Sequence, residues 1–115
     1  MKFMLAPDSF KGSLSAEQAV QAMAEGIRDV MPEAQMICMP IADGGEGTLE
    51  ALERVLGGKR KYIQVPGPYG KKVEAYYLYT RQMAVIELAQ ASGLTLTTEQ
   101  ERNPMQASTY GTGLL

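Results

Sequence analysis

Two short apolar runs, Lys2-Phe3-Met4-Leu5-Ala6 and residues 34–41, stand on either side of a stretch marked as one amphipathic helix. Ser15-Ala16-Glu17-Gln18 is a capping box, in which the serine hydroxyl accepts from the backbone three residues on and the glutamine side chain reaches back. Val20, Met23, Ala24, Ile27 and Met31 then recur at helical spacing, which predicts a core-facing stripe, and Pro32 ends the helix near Val30 or Met31. Strand, helix and strand in this order make a βαβ unit with parallel strands. In open sheets of this kind ligands bind beyond the C-terminal ends of the strands, so chemistry is sought in the loop after each apolar run.

The first loop, after Pro7, is Asp8-Ser9-Phe10-Lys11-Gly12-Ser13. Asp8 can accept from a substrate hydroxyl or help hold a metal, Lys11 can neutralise a carboxylate or phosphate, and Ser9 and Ser13 can add hydrogen bonds. The other reading is that Asp8 and the serines satisfy loop amides while Lys11 is solvated. The second loop is Pro40-Ile41-Ala42-Asp43-Gly44-Gly45-Glu46-Gly47-Thr48. Its glycines let backbone approach a ligand, and the amides that open the next helix favour an anion, so it is a candidate cradle for phosphate or carboxylate. Asp43 and Glu46 would repel a bare phosphate but suit one that arrives with Mg²⁺, or a hydroxylated substrate that needs an acceptor. The alternative is a strand-to-helix turn whose glycines serve geometry and whose acids favour the helix N-terminus.

Beyond this turn Leu49, Leu52, Val55 and Leu56 form one helical face, closed by Gly57-Gly58. The pattern then changes. Residues 62–65, 73–79 and 83–88 are β-prone runs joined by Gly67-Pro68-Tyr69-Gly70 and Thr80-Arg81-Gln82, connections short enough to require antiparallel neighbours. A second subdomain therefore begins around residues 60–70. Thr98 to Asn103 reads as a short helix or turn, and Asn103-Pro104 marks a boundary. The chain ends on a second Gly/Thr-rich loop, Ser108-Thr109-Tyr110-Gly111-Thr112-Gly113, whose amides and hydroxyls can also meet an anion. Leu114-Leu115 reads as the start of an apolar segment, and the expectation is a piece of a longer protein.

With 11 basic and 13 acidic side chains among 115 residues the net charge is −2, which provides no general attraction to nucleic acid or to an anionic membrane. Lys59-Arg60-Lys61 reads as a solvated strand edge. No apolar run approaches the roughly 20 residues that span a bilayer, and no signal peptide precedes the first strand, so a cytoplasmic protein is expected. The absence of histidine removes His-based triads and His-type zinc sites. The single cysteine, Cys38, lies in an apolar run and is expected to be buried. There is neither a Walker loop nor a complete dinucleotide fingerprint. Residue patterns alone thus describe a small α/β protein with polar loops suited to a small anionic ligand.

Four ordered blocks take the reading further. Ala6-Pro7-Asp8-Ser9-Phe10-Lys11-Gly12-Ser13-Leu14-Ser15, Pro40 to Thr48, Glu87 with Ala91-Ser92-Gly93-Leu94, and Arg102-Asn103-Pro104 with Ser108 to Gly113 together resemble the type-1 glycerate kinase family. The resemblance covers the whole chain but only the N-terminal portion of that family. It implies a Rossmann-like α/β domain, here residues 1–65, interrupted by a second α/β domain with antiparallel strands that begins at 66–115, with the site in the cleft between them. It implies ATP-dependent phosphoryl transfer to a hydroxyl of D-glycerate, with ATP and Mg²⁺ as cofactors, glycerate and nucleotide as partners, and neither nucleic acid nor membrane.

On this resemblance Lys11 contacts the glycerate carboxylate or the transferred phosphoryl, and Asp8, Ser9 and Ser13 orient substrate. Asp43 accepts from a glycerate hydroxyl or, with Glu46, holds Mg²⁺. Gly44, Gly45, Gly47 and Thr48 form the anion-facing turn, and Ser108, Thr109, Gly111, Thr112 and Gly113 make a second contact. Ile41 and Leu114 stand where the family usually has Met and Glu, and a later Gly-Gly-Ser-Ala-Thr-Asn-Asp-Gly-Gly block lies beyond residue 115. A non-catalytic anion-binding fragment and a self-associating structural module are the alternatives.

Overall fold

The computed structural model describes residues 1–115, and its contacts fall into two compact units, Met1–Ala51 and Leu52–Leu115. In the first unit β1 (Lys2–Leu5) pairs in parallel with β2 (Gln35–Cys38), Lys2 lying opposite Gln35 and Leu5 opposite Cys38. Helix α1 (Ala16–Val30) connects them. Its start is the expected capping box: the Gln18 amide donates to Ser15 Oγ at 3.2 Å and the Ser15 amide to Gln18 Oε1 at 2.9 Å. Its end comes at Val30, two residues before Pro32.

Leu5, Val20 and Ala24 form the buried centre of this unit, with Phe3, Ile27 and Met36 packed against them. The predicted α1 stripe is therefore the core face in its middle, whereas Met23 and Met31 are each 42% exposed. Cys38 departs from expectation. Met36, two residues earlier on the same face, reaches the cluster, but Cys38 sits at the end of a four-residue strand and is exposed.

Helix α2 (Thr48–Leu56) contains the division between the units. Gly57, at φ 63°, turns the chain out of it while its amide donates to Glu53 O at 2.8 Å. In the second unit β3 (Lys59–Pro66) and β4 (Lys72–Tyr79) form a fully paired antiparallel hairpin, and β5 (Ala84–Val85) adds to the far edge of β4. The meander is as expected, but the third strand is shorter than the run 83–88. Backbone bonds from Gln90 to Glu87 O and from Ala91 to Leu88 O begin α3 (Ala89–Ser92), so helical turns replace the ladder there. Val65, Ala75 and Ala91 are the buried centre, flanked by Ile63, Val73 and Leu115.

The division between the two compact units falls at Ala51/Leu52, and β3 pairs along its whole length with β4. Lys59, Arg60 and Lys61 are exposed, but Arg60 is not merely solvated. Its guanidinium forks onto the Glu53 carboxylate and lies 4.8 Å from the centre of the Tyr76 ring. The Glu53 hydrogen bond pushes the guanidinium pKa up, and Arg60 in turn holds the Glu53 carboxyl below its ordinary value. No helix is long and apolar enough to cross a membrane.

Candidate functional site

The parallel pair carries the two polar loops of the first unit to a common edge. The ladder continues past the strands, with the Met39 amide donating to Leu5 O at 2.8 Å and the Ile41 amide to Pro7 O at 3.1 Å. The segments leading into Asp8 and Asp43 therefore leave the sheet side by side, at its C-terminal end.

The first loop is tight. Phe10 and Leu14 exchange backbone bonds of 2.8 and 3.0 Å, and Gly12 makes the reversal at φ 72°. Lys11 and Ser13 are thereby placed at an exposed tip. Asp8 and Ser9 are half-buried at its base, where Asp8 Oδ1 accepts from the Ser9 amide at 2.6 Å. The carboxylate is thus oriented by its neighbour through one of its two oxygens.

The second loop is a sequence of small turns. Asp43 Oδ1 accepts from the Gly45 amide at 2.9 Å, an Asx turn that fixes the carboxylate over the glycines. Gly44 and Gly47 have φ of 99° and 89°, backbone that side-chain-bearing residues rarely adopt. Thr48 Oγ1 donates to Gly45 O at 2.7 Å and the Ala51 amide to Gly47 O at 3.1 Å, so the turn runs directly into the first turn of α2. Glu46 is exposed within it. The arrangement provides a helix start and a carboxylate held beside it, suited to a ligand that carries both hydroxyl and anionic groups.

No three carboxylate or thiolate groups gather to hold a metal by themselves. Mg²⁺ that arrives with phosphates keeps several waters and takes only one or two protein carboxylates. Asp43, with one oxygen engaged by Gly45, and Glu46 are the residues that would supply them.

In the second unit the Ser108–Gly113 loop is anchored from several sides. The Ser108 amide donates to Pro68 O at 2.9 Å, Ser108 Oγ accepts from the Tyr110 amide at 3.1 Å, and Thr112 Oγ1 lies 2.7 Å from Ser92 Oγ. Gly111 is buried, and a Cβ there would lie 1.8 Å from Pro66 O. Thr109 and Gly113 remain exposed. Within the same unit a cleft of about 290 Å³ opens among Pro68, Tyr69, Leu94, Arg102, Asn103 and Pro104. Arg102-Asn103-Pro104, read from the sequence as a boundary and as one block of the family resemblance, lines this cleft with Tyr69, although none of these residues was among the candidate site residues. The signal available was an arginine and an amide placed directly before a chain-stiffening proline.

The profile of the glycerate kinase family matches residues 3–115. A glycerate kinase from Halalkalibacterium halodurans is 51% identical over 114 residues, covering 97% of this chain and 30% of the relative. A glycerate 2-kinase from Escherichia coli K12 is 44% identical, covering all of this chain and 31% of its own length. The crystal structure of a Salmonella typhimurium LT2 protein assigned as glycerate kinase 2 superposes with a TM-score of 0.68 at 40% identity, covering 99% of this chain and 31% of that one. The chain spans about three tenths of the length of the curated relatives it matches.

Proposed function

Because the chain belongs to the glycerate kinase family, we propose that it serves ATP-dependent phosphoryl transfer to a hydroxyl of D-glycerate, as the N-terminal portion of a cytoplasmic enzyme. The observation that carries the reading is that the segments leading into the Asp8–Ser13 and Asp43–Thr48 loops leave the parallel strands side by side at their C-terminal end. In this reading Met1–Ala51 is part of a Rossmann-like domain and Leu52–Leu115 begins the inserted one.

Phosphoryl transfer asks a protein for positioning and for charge complementary to the transition state rather than for covalent chemistry. Lys11, at the exposed loop tip, supplies the positive charge to the glycerate carboxylate or the moving phosphoryl. Asp8, fixed by the Ser9 amide, and Ser9 and Ser13 orient the acceptor hydroxyls. Asp43, fixed by Gly45, accepts from a hydroxyl or, with Glu46, stands at the place of Mg²⁺. Bound there, Mg²⁺ would supply positive charge against the charge that develops on the transferred phosphoryl group. The backbone of Gly44, Gly45, Gly47 and Thr48 faces the anion, and Ser108, Thr109, Gly111, Thr112 and Gly113 form a second contact loop.

The test is a coupled ADP-release assay with D-glycerate, ATP and Mg²⁺. It is run on the 115-residue chain and on a chimera in which this chain replaces the matching segment of the Halalkalibacterium halodurans relative. The chimera is expected to turn over in a glycerate-dependent way, and Lys11→Met to lower kcat/KM by at least about a hundredfold, the scale of a lost charge-assisted contact in a transition state. A chimera that folds but ignores glycerate would overturn the reading. Unchanged kinetics in Lys11→Met would remove Lys11 from it.

A further inference from the structure

The cleft of the second unit is lined by none of the residues given a role in the proposed reaction, and its chemistry differs from that of the polar loops. Pro68, Tyr69, Leu94 and Pro104 bring apolar groups to its lining, beside the polar Thr97 and Asn103. Its polar groups are held in place: Tyr69 Oη accepts from the Asn103 amide at 2.7 Å, and Asn103 Oδ1 accepts from the Met105 amide at 3.1 Å. The second bond leaves the Asn103 side-chain NH₂ as a donor at the cleft. Gly93, also in the lining, fixes the backbone at the end of α3, where a Cβ would lie 2.5 Å from Ala89 O. At the rim Arg102 has only a 4.0 Å contact with the largely exposed Glu99, an ion pair of little strength.

Two ligand chemistries meet such a cleft differently. A three-carbon hydroxyacid would bring a carboxylate and two hydroxyls against walls of carbon and would lose more hydration than one amide and one guanidinium return. A flat heteroaromatic base has apolar faces for the prolines, leucine and tyrosine, an edge that can accept from Asn103, and a phosphate tail that matches a guanidinium. We propose that this cleft binds the base end of the nucleotide, with Arg102 meeting its phosphates. The assignment rests on the reading of the chain as serving nucleotide-dependent phosphoryl transfer.

ADP titrated into the ¹⁵N-labelled 115-residue chain is expected to shift amides of residues 92–97 and 102–107, whereas D-glycerate leaves them in place. Arg102→Gln, at an exposed position, and Ala107→Trp, which fills the cleft, should each weaken ADP binding by about tenfold or more, the equivalent of one charge-assisted bond. In the chimera the same variants should raise KM for ATP and leave KM for glycerate unchanged. ADP shifts confined to other residues, no shifts at all, or an unaltered KM for ATP in Arg102→Gln would overturn the cleft assignment. If the chimera fails to phosphorylate glycerate, the kinase reading fails, while the ADP titration still decides the cleft by itself.

Discussion

At the scale of single residues the glycines separate into two kinds that the letters alone do not distinguish. Gly44 and Gly47 are needed for their backbone: φ is 99° and 89°, and a Cβ at either would enter open space. Alanine at each should cost about 1 kcal/mol of stability through left-handed strain alone, while altering the turn proposed to face the anion, so the kinetic loss in the chimera should exceed the stability loss seen by denaturation. Gly111 has an ordinary φ of −62° and is needed for space, its absent Cβ lying 1.8 Å from Pro66 O. Gly111→Ala should therefore destabilise the second unit by about 3 kcal/mol, the upper range for overpacking a close contact, measured as a lower urea midpoint with an unchanged slope. The glycine-rich composition of both loops was legible as a place for close backbone approach. Which glycine serves a dihedral and which a contact was not, because contact with Pro66, 45 positions away in sequence, has no local signature.

At the scale of elements, legibility followed locality. The α1 boundaries were readable because Ser15, Gln18 and Pro32 act within one turn of the helix ends, and Ser15→Ala should cost about 1 kcal/mol by leaving the Gln18 amide uncapped, seen as a reduced unfolding midpoint by circular dichroism. The third β-prone run was misjudged in length because its alternation continues past Val85 while the backbone turns into α3, a choice made by tertiary packing of Ala91 into the second core. Cys38 was misjudged because burial of a strand residue depends on how far the covering helix reaches.

The short helical turn at Glu99–Glu101 makes a pH prediction. Its capping box puts Glu101 Oε2 2.9 Å from both the amide and the hydroxyl of Thr98. These bonds, the backbone one foremost, hold the Glu101 carboxyl below its usual 4.5, with Lys71 adding a smaller pull. A folded-state pKa below the unfolded one means that the cap contributes above the unfolded value and is lost as pH falls through the folded one. A ¹³C titration of the side-chain carboxyl should show a midpoint below that of an unstructured glutamate, and Thr98→Ala should raise it only in part, since the backbone donor stays.

At the scale of the whole molecule, the two units differ in how much holds each together. In Met1–Ala51 the sheet is two parallel strands of four residues under one helix, and Leu5, Val20 and Ala24 are its buried centre. Met4, Val30, Met39 and Ile41 are 63%, 78%, 49% and 45% exposed. Short two-stranded sheets contribute little alone, and domains of this size sit near the lower limit for a self-sufficient core. In Leu52–Leu115 an eight-pair antiparallel ladder contributes Val65 and Ala75 to a core that Ala91 completes, with Leu78 and Tyr76 also buried. Local stability tracks such differences in buried contact and ladder length. Native-state hydrogen exchange of the chain should therefore show β3 and β4 amides, such as those of Ile63, Val65 and Leu78, outlasting those of β1 and β2 by at least about tenfold, or 1.4 kcal/mol in opening free energy. Equal protection in both units would mean that the strands bearing the Asp8 and Asp43 loops are as firmly held as the hairpin. Their loops would then be presented on a rigid edge in this chain, and the catalytic test on the chain without added sequence would gain weight. The expected inequality leaves the second unit, with its cleft, as the part ordered enough to bind a ligand by itself, and makes the chimera the proper setting in which to test the roles proposed for Lys11 and Asp43.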